Sequence, residues 1–266
     1  MNAVMLIVAL LGPVGAKQEP GSAARVPLDG GGTLLLPEAA EGPIDLVVHL
    51  HGAASAVERA IAESGWSAAV VVVNEPGLSA AYARPFSDPS RFETLLAEAR
   101  AALEEHRPGL DPEAGRLIVS SFSAGFGGVR ELLKQPAAFD RIDALVLADS
   151  LYCGYEGDPA DRRLDPALMA GFRRFAAEAA AGSKAMLVSH CALVPDGYGS
   201  TAETADDLVR HVGGTFEAVD EDWGAGWRLC RRCRVGRLTV FGFKGTTAED
   251  HLRHLRRLGE LWRMLS

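Results

Sequence analysis

The chain has 266 residues, 48% of them hydrophobic, which is enough for one large α/β domain or two small ones, and the absence of a linker favours one. A net charge of -8 without any basic tract argues against a nucleic-acid partner, and the aromatic residues are few and not interleaved with Lys or Arg.

Residues 1–16 form an apolar run ending in Pro13-Val14-Gly15-Ala16, with small residues where a signal peptidase reads. The run is too short to span a bilayer, so no stable membrane span is expected. It reads as a cleaved export signal, with 17–266 as a single secreted or periplasmic domain. No basic residue precedes Lys17, which leaves a buried N-terminal strand in a cytoplasmic protein as the alternative.

After a polar lead from Lys17 to Ala24, Val26 to Leu36 reads as an antiparallel hairpin around Asp29-Gly30-Gly31-Gly32. Ile44 to Leu50 is a buried strand that runs into His51-Gly52-Ala53-Ala54-Ser55, and a helix follows from Ser55 to Glu63. Ala68 to Asn74 is apolar on both faces, as a central parallel strand must be. Glu75 to Asp88 is expected as an irregular loop, longer than most βα connections. A helix capped by Ser90 then runs from Arg91 to His106.

Leu117 to Phe122 is a strand that turns sharply at Ser123 and becomes a helix with Val129, Leu132 and Leu133 on one face. Further strands are expected at Ile142–Ala148, Ala185–Ser189 and Leu238–Phe243, and helices at Ala167–Ala181 and Thr201–Val212, the latter capped by Ser200 or Thr201. The segment 151–184 has room for a short cap. Trp223 to Gly236 reads as a small hairpin, and a single amphipathic helix from Ala248 to Leu265 closes the chain, with Leu252, Leu255, Leu258, Leu261 and Trp262 inward. Strands alternating with helices imply a mostly parallel central sheet with helices on both faces, whose ligands gather at the carboxyl ends of the strands.

Four cysteines allow a disulfide framework. Cys230 and Cys233 have metal-like spacing but no second Cys or His pair to complete a tetrahedral site, which leaves a disulfide or a free dithiol. Cys153 and Cys191 follow two strands and can pair only if those strands are neighbours.

The stretch Ser121-Phe122-Ser123-Ala124-Gly125 resembles the nucleophile elbow of the α/β-hydrolase superfamily, Gly-x-Ser-x-Gly, with Ser121 in place of the first glycine. Ser123, Asp149 and His251 occur in the serine, acid, histidine order of that superfamily, at strand ends. The resemblance makes Ser123 the nucleophile, His251 the general base with His254 as competitor, and Asp149 the acid with Asp196 as competitor. It nominates the backbone N–H groups of Ala53 and Ala124 as the oxyanion hole, and gives His51 a packing role in the His51-Gly52 loop. The implied activity is serine-dependent hydrolysis, of small carboxylic esters first and of amides or peptides second, or acyl transfer, with no cofactor and no metal. A catalytically silent binding protein of the same fold and a redox protein using Cys230 and Cys233 are the rivals. Tyr82, Tyr152, Tyr155, Trp223 and Trp227 fall at or near the same edge, as pocket walls or as ordinary packing.

Overall fold

The computed structural model describes residues 24–37 and 41–265, so the expected export signal at 1–16 lies outside the described residues. In chain order the elements are β1 (Arg25–Pro27), β2 (Thr33–Leu35), β3 (Gly42–Pro43), β4 (Asp45–Leu50), α1 (Ala54–Ser64), β5 (Ala68–Val73), α2 (Ser79–Phe86), α3 (Pro89–His106), β6 (Leu110–Asp111) and β7 (Leu117–Phe122). They continue with α4 (Phe126–Lys134), α5 (Pro136–Arg141), β8 (Ala144–Ala148), α6 (Pro166–Ala181), β9 (Ala185–His190), α7 (Thr201–His211), β10 (Glu217–Asp222), β11 (Arg228–Val235), β12 (Leu238–Phe243), α8 (Ala248–Arg256) and α9 (Leu258–Arg263).

Ten strands form one sheet in the order β1-β2-β5-β4-β7-β8-β9-β12-β11-β10. The centre, from β5 to β12, is parallel, whereas β1 and β2 at one edge and β10 and β11 at the other run antiparallel to their neighbours. Alternate side chains of the central strands feed two cores, because successive residues of a strand point to opposite faces. Leu46, Val48 and Leu50 meet α2, α3 and α4 through Tyr82, Phe86, Leu95 and Leu132 on one face. Val47, Ile118 and Val146 meet α1, α8 and α9 through Val57, Leu255, Leu261 and Trp262 on the other. Both faces of the parallel strands are therefore dry, and polar groups collect at their ends.

Four expectations need correction. The 75–88 connection contains α2, which packs on α4 because Gly127 has no side chain: a Cβ there would stand 2.1 Å from the Ser79 carbonyl oxygen. The cap of α3 is Asp88, whose Oδ1 accepts from the Ser90 N–H, and the helix starts at Pro89. The Trp223–Gly236 segment, expected as a hairpin leading into the last strand, holds the single strand β11, which pairs with β10 before it and β12 after it and widens the main sheet. The closing helix breaks at Arg257 into α8 and α9, and Leu252 is only half-buried. All four cysteines are free. Cys153 and Cys191 do lie beyond adjacent strands, yet each thiol donates to an oxygen, of Asp165 and Asp149 respectively.

Candidate active site

Three of the non-glycine residues with positive φ stand at the carboxyl ends of neighbouring parallel strands: His51 after β4 (φ 72), Ser123 after β7 (φ 47) and Asp149 after β8 (φ 45). L-residues adopt this region at a cost of about 1–3 kcal/mol each, and such strain persists where the surroundings enforce it. Here the enforcement is local and visible.

At Ser123 the strand stops and one 3-10 turn, Ser123–Gly125, leads directly into α4. The turn closes because Gly125 lies against β4, where a Cβ would stand 2.2 Å from the Leu50 carbonyl oxygen. Ser121, at the position of the missing glycine, is fully buried, and its Oγ lies 2.7 Å from that of Ser150. The departure from the motif is thus filled by a hydrogen bond.

His251 enters from α8, whose first turn is fixed by a reciprocal capping box between Thr247 and Asp250. Its Nε2 is 2.9 Å from Ser123 Oγ and its Nδ1 is 2.6 Å from Asp149 Oδ2, contacts that span 128 and 102 residues of chain. Phe122 stacks on the His251 ring at 4.6 Å between centroids. Three groups far apart in sequence therefore meet in one hydrogen-bonded row.

Asp149 is fully buried. Burial works against its charge, but the His254 and His251 imidazoles and the Cys191 thiol outweigh it and hold the carboxyl well below the usual carboxylate range. Its oxygens accept from Cys191 N–H, the Cys191 thiol at 2.9 Å, the Thr201 hydroxyl and His251. An ionised carboxylate only accepts, so Nδ1 of His251 carries a proton and Nε2 is left as the acceptor facing Ser123. The row is set to take a proton from the hydroxyl.

The His51 loop lies next to this row. Nδ1 of His51 is 2.7 Å from the Tyr82 hydroxyl, and its ring stacks 6.0 Å from Phe122. Burial, then the neighbouring His251, pull its pKa down to about 4, so it is neutral at pH 7 and serves packing. The Asn74 amide holds Gly52 from both sides, with Oδ1 3.0 Å from the Gly52 nitrogen and Nδ2 2.8 Å from its oxygen. Ala53 caps α1, and Ala124 follows Ser123 in the 3-10 turn.

The competitors stand elsewhere. His254, also fully buried, pairs through Nδ1 with Ser189 Oγ at 2.8 Å and meets Trp227 and Phe243 edge-on. Burial pulls its pKa down to about 4. Asp196 is exposed in the loop after β9. His190 accepts from Arg231 at 2.9 Å, which fixes it to β11. Trp223 and Trp227 pack with Phe241 and Phe243 in the antiparallel flank, while Tyr152 lies between Phe126 and Tyr198 beside the acid. Cys230 donates to the Gly242 oxygen, and burial pushes the Cys233 thiol up, the reverse of what a redox thiolate needs.

Asp149, Cys191 and His254 bring one donor atom each within 4.8 Å of one another. A metal there would need the thiolate, but burial and the adjacent Asp149 charge keep the Cys191 thiol protonated. Cys191 donates to Asp149 in this group, and Nδ1 of His254 is taken by Ser189. Cys191, Thr201, Asn74 and Ser150 belong to the site and were not singled out for it from the sequence. Their common signal is position, since each lies within a few residues of the carboxyl end of a parallel strand or the start of the helix beyond it.

No protein-family model matches the chain, and no curated protein matches it in sequence. Among solved structures it is similar to a Lactobacillus plantarum protein assigned as a carboxylesterase, at 13% identity over 92% of this chain and 96% of that one, with a TM-score of 0.50. It is also similar to a cold-adapted esterase from an Arctic intertidal metagenomic library (13% identity, 94% and 97% covered, TM-score 0.48). A third is the S-formylglutathione hydrolase of Staphylococcus aureus (15% identity, 93% and 99% covered, TM-score 0.47). At these identities the likeness is one of fold. The chain has the α/β-hydrolase fold, with antiparallel strands added at both edges of the parallel sheet.

Proposed function

We propose that the chain is a serine hydrolase of small carboxylic esters. The observation that carries this reading is the row Ser123 Oγ, His251 Nε2, His251 Nδ1, Asp149 Oδ2, at 2.9 and 2.6 Å. Ser123 Oγ attacks the ester carbonyl while His251 takes its proton, and the Ala53 and Ala124 N–H groups receive the developing oxyanion. The C–O bond to the alcohol then breaks as His251 returns the proton to the leaving oxygen. Water repeats the sequence on the acyl-enzyme. Asp149 keeps Nδ1 protonated and stabilises the imidazolium. No step calls for a metal or a cofactor. Amide cleavage and acyl transfer to another alcohol use the same row and differ only in leaving group and acceptor.

A panel of p-nitrophenyl esters of increasing acyl length tests the reading. Turnover of at least one, lost in Ser123→Ala, is the expected result. A folded wild type that turns over none of the panel would favour a binding protein built on the same edge. Among the described residues no helix is long and apolar enough to cross a membrane. Export rests on the 1–16 run alone, and cell fractionation with N-terminal sequencing of the mature chain would test it.

A further inference from the structure

We infer that Asn74 and Ser150 are positioning residues that aim the two oxyanion donors, each by holding the carbonyl that shares a peptide plane with the donor N–H. The inference rests on the hydrolase reading. Among the described residues every peptide bond is trans. The carbonyl of one residue and the N–H of the next therefore point to opposite sides of a single rigid plane. Whatever fixes the carbonyl fixes the direction of the N–H.

The Ala53 N–H shares its plane with the Gly52 carbonyl, which accepts from Asn74 Nδ2 at 2.8 Å. The same amide accepts from the Gly52 N–H, so the residue between the strained His51 and the donor is pinned at both ends. The Ala124 N–H shares its plane with the Ser123 carbonyl, which accepts from Ser150 Oγ at 2.9 Å as well as from the Phe126 N–H inside the turn. A hydroxyl has one proton to give. With that of Ser150 committed to Ser123, the 2.7 Å contact to Ser121 is one in which Ser121 donates.

Ser121 thus supplies the last link of a chain running Ser121, Ser150, Ser123 carbonyl, which a glycine at that position would lack. Asn74, Ser121 and Ser150 lie on or just beyond β5, β7 and β8, so three strands of one sheet fix both planes. An oxyanion donor acts through preorganisation, and a plane free to rock about its Cα–Cα axis loses that advantage. On this account neither Asn74 nor Ser150 touches the substrate. Ser150 is 1% exposed, whereas Asn74 is exposed to water that can replace a lost donor. The Ser150 clamp is therefore the stronger.

The test uses Ser150→Ala and Asn74→Ala, the second of which removes both hydrogen bonds to Gly52 without adding charge. The readouts are kcat and KM on p-nitrophenyl butyrate, the pH profile of kcat/KM, and inhibition by an alkyl trifluoromethyl ketone, whose hemiketal oxygen occupies the oxyanion position. We expect kcat to fall about thirtyfold in Ser150→Ala and about fivefold in Asn74→Ala, less than the loss of a whole donor. KM should stay within about twofold, and the inhibition constant should rise by the factor lost in kcat/KM. The acidic midpoint of the profile should not move, because the contact between His251 and Asp149 is untouched.

Should Ser150→Ala fail to fold, the exposed Asn74→Ala still decides. An active wild type whose folded variants keep kcat and ketone affinity, or change KM alone, overturns the inference. So does a loss of kcat that moves the acidic midpoint, since the residues would then act through the imidazole. A wild type inert toward the ester panel overturns the hydrolase reading itself, and the inference falls with it.

Discussion

The two ends of the parallel sheet both carry polar groups joined across long stretches of chain, and the joints differ in kind. At the amino end, Asp45 accepts from the Arg116 guanidinium at 2.7 Å, the Arg116 N–H at 2.7 Å and Trp66 Nε1 at 3.0 Å. Burial works against the Asp45 charge and Arg116 outweighs it, so the carboxyl lies below its ordinary range. The partner is a permanent cation, and no proton can move. At the carboxyl end, Asp149 meets only neutral donors and an imidazole whose other nitrogen faces a hydroxyl. One carboxylate closes an ion pair and ties the strand starts together. The other, in the mechanism proposed above, opens a path for a proton. A buried acid thus reads as structural or chemical by whether its partner can change protonation state.

The comparison breaks first at the carboxyl end. Replacing Ser123 or His251 by Ala should lower ester turnover by on the order of 10⁴-fold or more, with the unfolding midpoint retained. Asp149→Asn should lower kcat by about 10⁴-fold, because Nδ1 of His251 then loses the acceptor that selects its tautomer. Asp196→Asn should leave turnover within about twofold of wild type, as expected for an exposed loop residue. Equal losses in the two Asn variants would mean that the acid has been misassigned.

Acid should destabilise the fold through the histidines that the carboxyl end and its neighbours bury. Burial pulls His49 down to about 3 and His51, His190 and His254 down to about 4. Above pH 6.5 these rings are neutral in folded and unfolded chains alike, and their burial costs nothing in protonation. As pH falls from about 6.5 towards 4 only the unfolded chain takes up protons, so stability declines by up to about 1.4 kcal/mol per pH unit for each ring. Urea unfolding followed from pH 7.5 to 4.5 should show this loss. Constant stability over that window would contradict the burial of neutral rings.

At the amino end Asp45→Asn should leave kcat unchanged and cost about 1–3 kcal/mol in urea unfolding, since the pair with Arg116 is partly solvent-screened. A loss of kcat without a loss of stability would erase the distinction between the two ends. A small effect on turnover should come from Cys191→Ala, where one weak donor to Asp149 is lost and the Cys191 N–H remains. A fall in kcat of about threefold is expected, read by steady-state kinetics.

The fold was legible in the sequence because it follows from short-range rules, and the central row because the resemblance to α/β-hydrolases orders its members along the chain. Apolar runs marked the parallel strands, the small residues around Ser123 marked the sharp turn, and the ends of those runs named Asp149 and the loop before His251. What escaped had no local signature. Helix α2 carries Pro85 and is held by Gly127 of a distant helix, so its own residues read as a loop. Strand β10, with the sequence EAVDED, is an acidic edge strand whose pattern is set by ion pairs with Arg228 and Arg232 of β11. The donors around Asp149 and the Asn74 and Ser150 clamps depend on which strands are neighbours, which no single segment records. Cys153 and Cys191, which could pair only if their strands were neighbours, do follow neighbouring strands and stay free, the Cys191 thiol donating to the buried Asp149.

The central claim is that Ser123 is a nucleophile driven by His251. The most direct measurement is mass spectrometry of the intact chain and its peptides after reaction with a fluorophosphonate. The account predicts one phosphonyl group per chain, on Ser123, formed at a rate that collapses in His251→Ala. An adduct on any other residue, or a folded chain that takes up none, would contradict it.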